Sequence, residues 1–256
     1  MGILGVFGLF FAAWRTWVAE RNLKTDRERL ATETFSEAIK QLGARDGGGK
    51  PILEMRLGGI YTLERLMKET GDHDFYWQIV ETLTAYVREN SPASGAAAFT
   101  PPAPPNDWGD GTQTANYQES IQRSVAALQN PLKDIQAIVT VIGRRPKAKD
   151  RGRVPDLSET NLQKINMSRF DAGKLNLTGA HLEGAYLIGA RLEGAHLSGA
   201  HFEGTRFGFF NDPASDAVGL TVKQLERAYG DHATVLPTYL KDTTINWRKD
   251  DKASAE

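Results

Sequence analysis

The spacing of apolar positions changes several times along this chain, and each change marks a different expected element. Residues 3–14 (ILGVFGLFFAAW) are apolar without a charge, until Arg15 interrupts. Residues 18–42 hold helix formers with no Gly or Pro, and Phe35, Ile39 and Leu42 fall on one face. Gly43 and the run DGGG at 46–49 predict the end of that helix. A second helix is expected after Pro51, with Leu53, Leu57, Ile60 and Leu63 or Met67 at helical spacing. Gly58 and Gly59 inside it cost roughly 1 kcal/mol each against Ala, which predicts a close helix contact or backbone approach. A third helix is predicted over 75–89, with Tyr76, Val80, Leu83 and Val87 aligned. Residues 91–115, rich in Pro, Ala and Gly, read as a loop or disordered insert. Helices resume near Tyr117, where Ile121, Val125 and Leu128 share a face. Asn130 and Pro131 predict a cap and first position for a helix carrying Leu132, Ile135, Val139 and Ile142, closed by Gly143.

From Pro155 the period becomes five and holds without a gap to Phe209. The third place is Leu157, Leu162, Met167, Ala172, Leu177, Leu182, Leu187, Leu192, Leu197, Phe202 and Phe207. The first place is Pro155, Thr160, Ile165, Phe170 and Leu175, then Ala from Ala180 to Ala200, then Thr205. Five fits neither a helix nor a strand. Places one and three alternate with a polar second place, as in a short strand. Places four and five suit a tight turn. Each five therefore reads as one short strand and one corner, and such units bury their apolar places only by coiling and stacking.

These A-x-L-x-G units resemble the pentapeptide-repeat family. The resemblance covers 55 of 256 residues. It implies a right-handed, four-sided β-helix with the first and third places pointing inward. Large first-place residues up to Leu175, and the small Ala172 at a third place, predict a less regular first coil, with Phe170 filling the space Ala172 leaves. Stretches such as FSEAIKQLG (35–43), MRLGGIYTLERL (55–66), LTAYVRENSP (83–92) and DIQAIVTVIGRR (134–145) resemble a bacterial family in which a membrane helix, a helical module and a pentapeptide-repeat tail follow in order. That second resemblance implies no established activity. FFAAWRTWVAER (10–21) is similar to the end of its membrane segment, which implies a truncated start.

The expected fold class is thus α+β. Residues 1–19 form a membrane-associated helix, and 20–145 a HEAT-like helical module with the insert 91–115. A basic linker follows at 146–154, the right-handed quadrilateral β-helix at 155–209, and a C-terminal helical cap and tail at 210–256. A spanning helix needs roughly 20 apolar residues, so the 3–14 run admits three readings: a span whose upstream end is missing, an interfacial anchor, or a buried helix. Trp14 and Trp17 beside Arg15 resemble an interface belt. Arg21, Lys24, Arg27 and Arg29 follow the run, which by the positive-inside rule places the body on the cytoplasmic side of a bacterial inner membrane. Past Phe209, Thr221-x-x-Gln224 predicts a capping box. Val235-Leu236-Pro237 and Trp247 are expected to fold back as a cap, and the tail after Arg248 to be disordered.

Composition adds little. Net charge is −1 and there is no Cys, which excludes disulfides and thiolate sites. Arg144, Arg145, Lys147, Lys149, Arg151 and Arg153 form a basic run, read as helix-end cations and solvated linker, with anionic lipid or nucleic acid as the functional alternative. With residues twenty apart stacked about 4.8 Å away, His181 falls over His201 and Glu183 over Glu203. Two imidazoles and two carboxylates could hold a divalent metal, but the expectation is a solvated, mutually neutralising face. Asp72-His73-Asp74 reads as a polar turn, and Pro101-Pro102-Ala103-Pro104 as linker rather than an SH3-type ligand. No nucleophile elbow, phosphate loop or zinc-protease motif is present. No catalytic, cofactor or metal residue is therefore assigned. The expected function is a membrane-tethered protein-interaction scaffold without enzymatic activity, bound to a protein partner or to itself. A stress or defence effector acting by membrane-linked assembly is the alternative. DNA mimicry is disfavoured by the mixed-sign rod surface, so nucleic acid is not an expected partner.

Overall fold

The computed structural model describes residues 3–105, 111–209, 212–241 and 243–247, and in its helices the side chains other than those of residues 3–20, 22, 24, 111, 112 and 114. The chain divides into two compact units, Met1–Glu69 and Thr70–Glu256.

The first unit pairs α1 (Ile3–Leu42) with α2 (Leu53–Glu69). Gly59 is where they come closest: a Cβ there would stand 2.6 Å from the carbonyl oxygen of Ala38. Its cost in helix propensity is offset by that approach. The expected membrane helix is not found. No helix among the described residues is long and apolar enough to cross a membrane, and the membrane localisation drawn from it is withdrawn. The physical reason is visible in the sequence: the uncharged apolar run ends at Arg15, well short of the roughly 20 residues a span requires. Side chains at Trp14 and Trp17 lie outside the described residues, as does the tail after Arg248.

The second unit opens with α3 (His73–Asn90), whose cap is Asp72, accepting from the backbone N–H groups of Asp74 and Phe75. Tyr76, Val80, Leu83 and Val87 are buried, and this face packs on α5 (Lys133–Gly143). The N-cap of α5 is Leu132, with no side-chain cap bond, so Asn130 and Pro131 precede the helix rather than start it. The helices therefore do not form one HEAT-like module: α1 and α2 stand in one compact unit, and α3, α4 (Gly111–Ala127) and α5 are folded with the repeats in the other.

The repeats form a coil, but not the expected β-helix of strands. Among the described residues there is no strand or sheet element. Successive turns touch through isolated parallel bridges twenty residues apart, as between Asp156, Asn176 and His196, or Asn161, His181 and His201. The reason lies in the five-residue unit. Two residues are spent on each corner, where the fifth place takes a left-handed conformation (φ 52 to 61 at Glu159, Lys164, Arg169 and Lys174, and 65 to 69 from Gly179 to Gly204). One bridged residue remains per side, too few for a continuous ladder. All third-place residues from Leu157 to Phe207 are buried, as are Ala180 to Ala200. Thr160 and Thr205, polar at first places, donate to the carbonyls of Leu157 and Leu182, both at 2.6 Å. The Phe170 ring is half-buried and lies on Gly143, where a Cβ would meet it at 2.5 Å.

The helical cap expected at 210–256 is also corrected. Val218 bridges to Arg191, Tyr229 to His201 and Val235 to Arg206, so the chain makes one further, irregular turn on the coil. Among the described residues its only α-helix is α6 (Val222–Leu225), started by the Thr221–Gln224 capping box. The Trp247 ring packs on Gly230.

Candidate functional site

The largest gathering of chemistry lies on one side of the coil. Three second-place residues stack there, Asn161, His181 and His201, and Tyr229 of the irregular last turn continues the column. The imidazoles of His181 and His201 are parallel, 4.3 Å apart and 5° from coplanar, and Tyr229 stacks on His201 at 4.4 Å. The geometry follows from the corners: a fixed turn every five residues returns equivalent side chains to the same side.

Two residues farther on runs a second column: Gln163, Glu183, Glu203 and Asp231. His181 Nδ1 lies 2.7 Å from Glu183 Oε1, and His201 Nδ1 lies 3.6 Å from Glu203 Oε1. This column is not the solvated face expected from its sequence. Glu183 is only 4 % exposed. The cover comes from two segments. Val125 of α4 stands over Gly184 and Gly204, and Phe99 of the insert stands over Gly204. Tyr117 and Ile121 of α4 form an apolar cluster with Ala233 of the final turn.

The insert itself is not a free loop over its described part. Pro92 bridges antiparallel to Thr160, and Asn161 donates its backbone N–H to Ser91 at 2.7 Å. Gln163 exchanges two hydrogen bonds with the backbone of Ala97, at 3.0 and 2.6 Å. The segment thus follows the coil towards Glu183 and Glu203. Pro101 to Pro104 belong to it and take no regular structure.

Burial leaves this column electrostatically incomplete. Glu183 Oε2, Glu203 Oε2 and Asp231 Oδ2 are buried with no hydrogen-bond partner among the described residues. An ionised oxygen in that position costs several kcal/mol in principle unless charge compensates it. Burial, with the Glu203 charge beside it, pushes the Asp231 carboxyl above its ordinary 3.8, against hydrogen bonds from Gly204, Thr234 and Ala233. Burial, and then the Asp231 charge, also push the Tyr117 phenol up.

The other sequence candidates resolve as structure. Arg145 is buried and forks onto Asp150, with Nη2–Oδ2 at 3.0 Å, and Tyr76 donates to the same carboxylate at 2.6 Å. Burial and that carboxylate together push the Tyr76 phenol well up. Lys147 pairs with Asp171, Lys149 donates to the Thr70 carbonyl, and Arg153 lies over Trp77 beside Asp74. The basic run is thus largely consumed within its own unit, and Arg144 and Arg151 are its exposed members with no such side-chain pairing among the described residues. His73 and Asp74 sit in the first turn of α3. A cleft of about 360 Å³ between the coil and α6 is lined by Thr178, His196, Ser198, Lys223 and Arg227, all on its open surface.

Residues 176–208 match the family model for pentapeptide repeats, in eight copies. No curated protein matches the chain. The match begins one full turn after the five-residue period does, just past the last corner that lacks glycine. Residues 176–208 therefore carry pentapeptide repeats, and their third places are buried in the order that the five-residue period requires.

Proposed function

We propose that this protein is a non-enzymatic scaffold for protein interaction, with its contact surface on the coil side that carries Tyr186 and Arg206. The observation behind this reading is the distribution of cover. The His–Glu side is roofed by α4 and the insert, whereas Tyr186 is 37 % exposed and Phe209, near it in sequence register, 53 %. The Arg206 guanidinium lies over the Tyr186 ring at 6.0 Å. Aromatic and Arg side chains are the usual anchors of protein interfaces. A nucleic-acid mimic would instead display its carboxylates, and here Glu183 is buried.

The test is a photo-crosslinking amino acid placed at Tyr186, and separately at Arg191 on the neighbouring side, in the full chain within its host. A discrete adduct, with a partner or a second copy, is expected from position 186 and not from 191. Absence of adducts at 186, or equal labelling from both, sinks the proposal.

A further inference from the structure

We propose that His181, Glu183 and His201 form a binding site for a borderline divalent cation, zinc first among them, with Glu203 beside it as a fourth ligand. This goes beyond the scaffold reading and does not depend on it. Donor atoms of the first three residues lie within 4.8 Å of one another. Both imidazoles turn Nδ1 toward the carboxylate two residues on, so the four groups make two rungs of a short ladder, at 2.7 and 3.6 Å. Zinc holds nitrogen and oxygen ligands at about 2.0–2.2 Å. Two ligands of one tetrahedral zinc at that length stand about 3.3–3.6 Å apart, so His181 Nδ1 and Glu183 Oε1 must part slightly while the His201–Glu203 rung already has that separation.

A second observation points independently to a cation. Glu183 is 4 % exposed, and its Oε2 has no hydrogen-bond partner; Glu203 Oε2 is buried and likewise without one. A buried pair of carboxylate oxygens, stacked in neighbouring turns, lacks positive charge. No Lys or Arg is paired with either oxygen among the described residues. A divalent ion supplies what is missing. The ligand set selects its class: two imidazoles favour zinc-like ions over Ca²⁺ and Mg²⁺, which prefer all-oxygen shells. The ligands span two turns of the coil beneath α4, so the bound ion would fasten those turns together.

The experiment uses the full, tag-free chain stripped with a chelator and dialysed against Zn²⁺, with bound metal counted by atomic emission. One ion per chain is expected, with a higher melting temperature in Zn²⁺ than in chelator. His181→Gln and His201→Gln should each weaken binding by more than the roughly 10–100-fold lost with a merely supporting group, while His196→Gln leaves it unchanged. Should a variant fail to fold, the ring-nitrogen NMR spectrum of the wild-type chain decides: of five histidines, His181 and His201 alone should shift on adding Zn²⁺. No retained zinc, an unchanged melting temperature, or shifts centred on other histidines would overturn the site.

Discussion

Gly184 and Gly194 occupy the same place in their repeats, with φ of 66° and 68°, and differ in what lies above them. At Gly194 an added Cβ would meet nothing nearer than Lys174 Cγ at 3.6 Å; at Gly184 it would meet Val125 Cγ1 at 2.7 Å. An L-residue in the left-handed region costs about 1–2 kcal/mol, and this applies equally to Gly194→Ala and Gly184→Ala. Gly184→Ala also overpacks the α4 contact, which adds about 1–3 kcal/mol. The expected losses are therefore about 1–2 kcal/mol for Gly194→Ala and about 2–5 kcal/mol for Gly184→Ala. For a unit the size of Thr70–Glu256 each kcal/mol lowers the melting temperature by about 2–4 °C. Urea and thermal melts of the full chain, followed by circular dichroism, measure both. Adding Val125→Ala should return part of the difference to Gly184→Ala and none to Gly194→Ala, a coupling a double-mutant cycle isolates. Equal losses at the two glycines, or no coupling to Val125, would refute the placement of α4 over the acidic column.

Three further outcomes follow from the coil. Leu187→Ala, at a fully buried third place, should cost about 2–5 kcal/mol in urea melts; near-wild-type stability would mean the five-residue register is wrong. Lys174→Gly should stabilise the chain by about 0.5–1 kcal/mol, because Lys174 is exposed at φ 61° and the relief of left-handed strain exceeds the added chain entropy. A loss of stability there would show the Lys side chain holding the corner. Asp231→Asn should stabilise the protein at pH above the raised folded pKa, where wild type holds an ionised carboxylate against its burial. That advantage should fade as pH falls through the raised folded value and be gone below the unfolded 3.8, where wild type is protonated in both states. An advantage that grows toward acid pH would reverse the sign assigned to Asp231.

Much of this was legible because a strict period fixes neighbours. The burial of Leu157 to Phe207 and the stacking of His181 on His201 both follow from counting in fives, since equivalent places return every twenty residues. Three things did not follow. The period alone cannot say whether a five-residue side is a strand; the left-handed corners at Glu159 to Lys174 decide that, and only Gly at later corners hints at them. Nor does the sequence around Glu183 say that Val125 and Phe99, many residues earlier, will cover it, so a buried carboxylate column looked like a solvated face. The run from Arg144 to Arg153 read as helix-end cations and a solvated linker for the same reason, because Asp74 and Asp171, which pair with Arg153 and Lys147, are distant in sequence. The membrane reading rested mainly on the apolar run 3–14 and the cations after it, and no helix of the described residues is long and apolar enough to cross a membrane.

The coil's regular turns are covered at both ends by other parts of the chain. At the first turn, Ser91, Ala93 and Gln136 take the backbone groups that a further turn would use: Asn161 N–H donates to Ser91 O, Ala93 N–H to Glu159 O, and Gln136 both donates to and accepts from the Asn166 backbone. At the far end the irregular turn through Val218, Tyr229 and Val235 takes up the last regular one. Repeat coils with open ends can add another molecule edge to edge and grow without limit. At the first turn that route is blocked by the chain's own segments, so a second copy stacking there would first have to displace Ser91, Ala93 and Gln136 from the coil's edge.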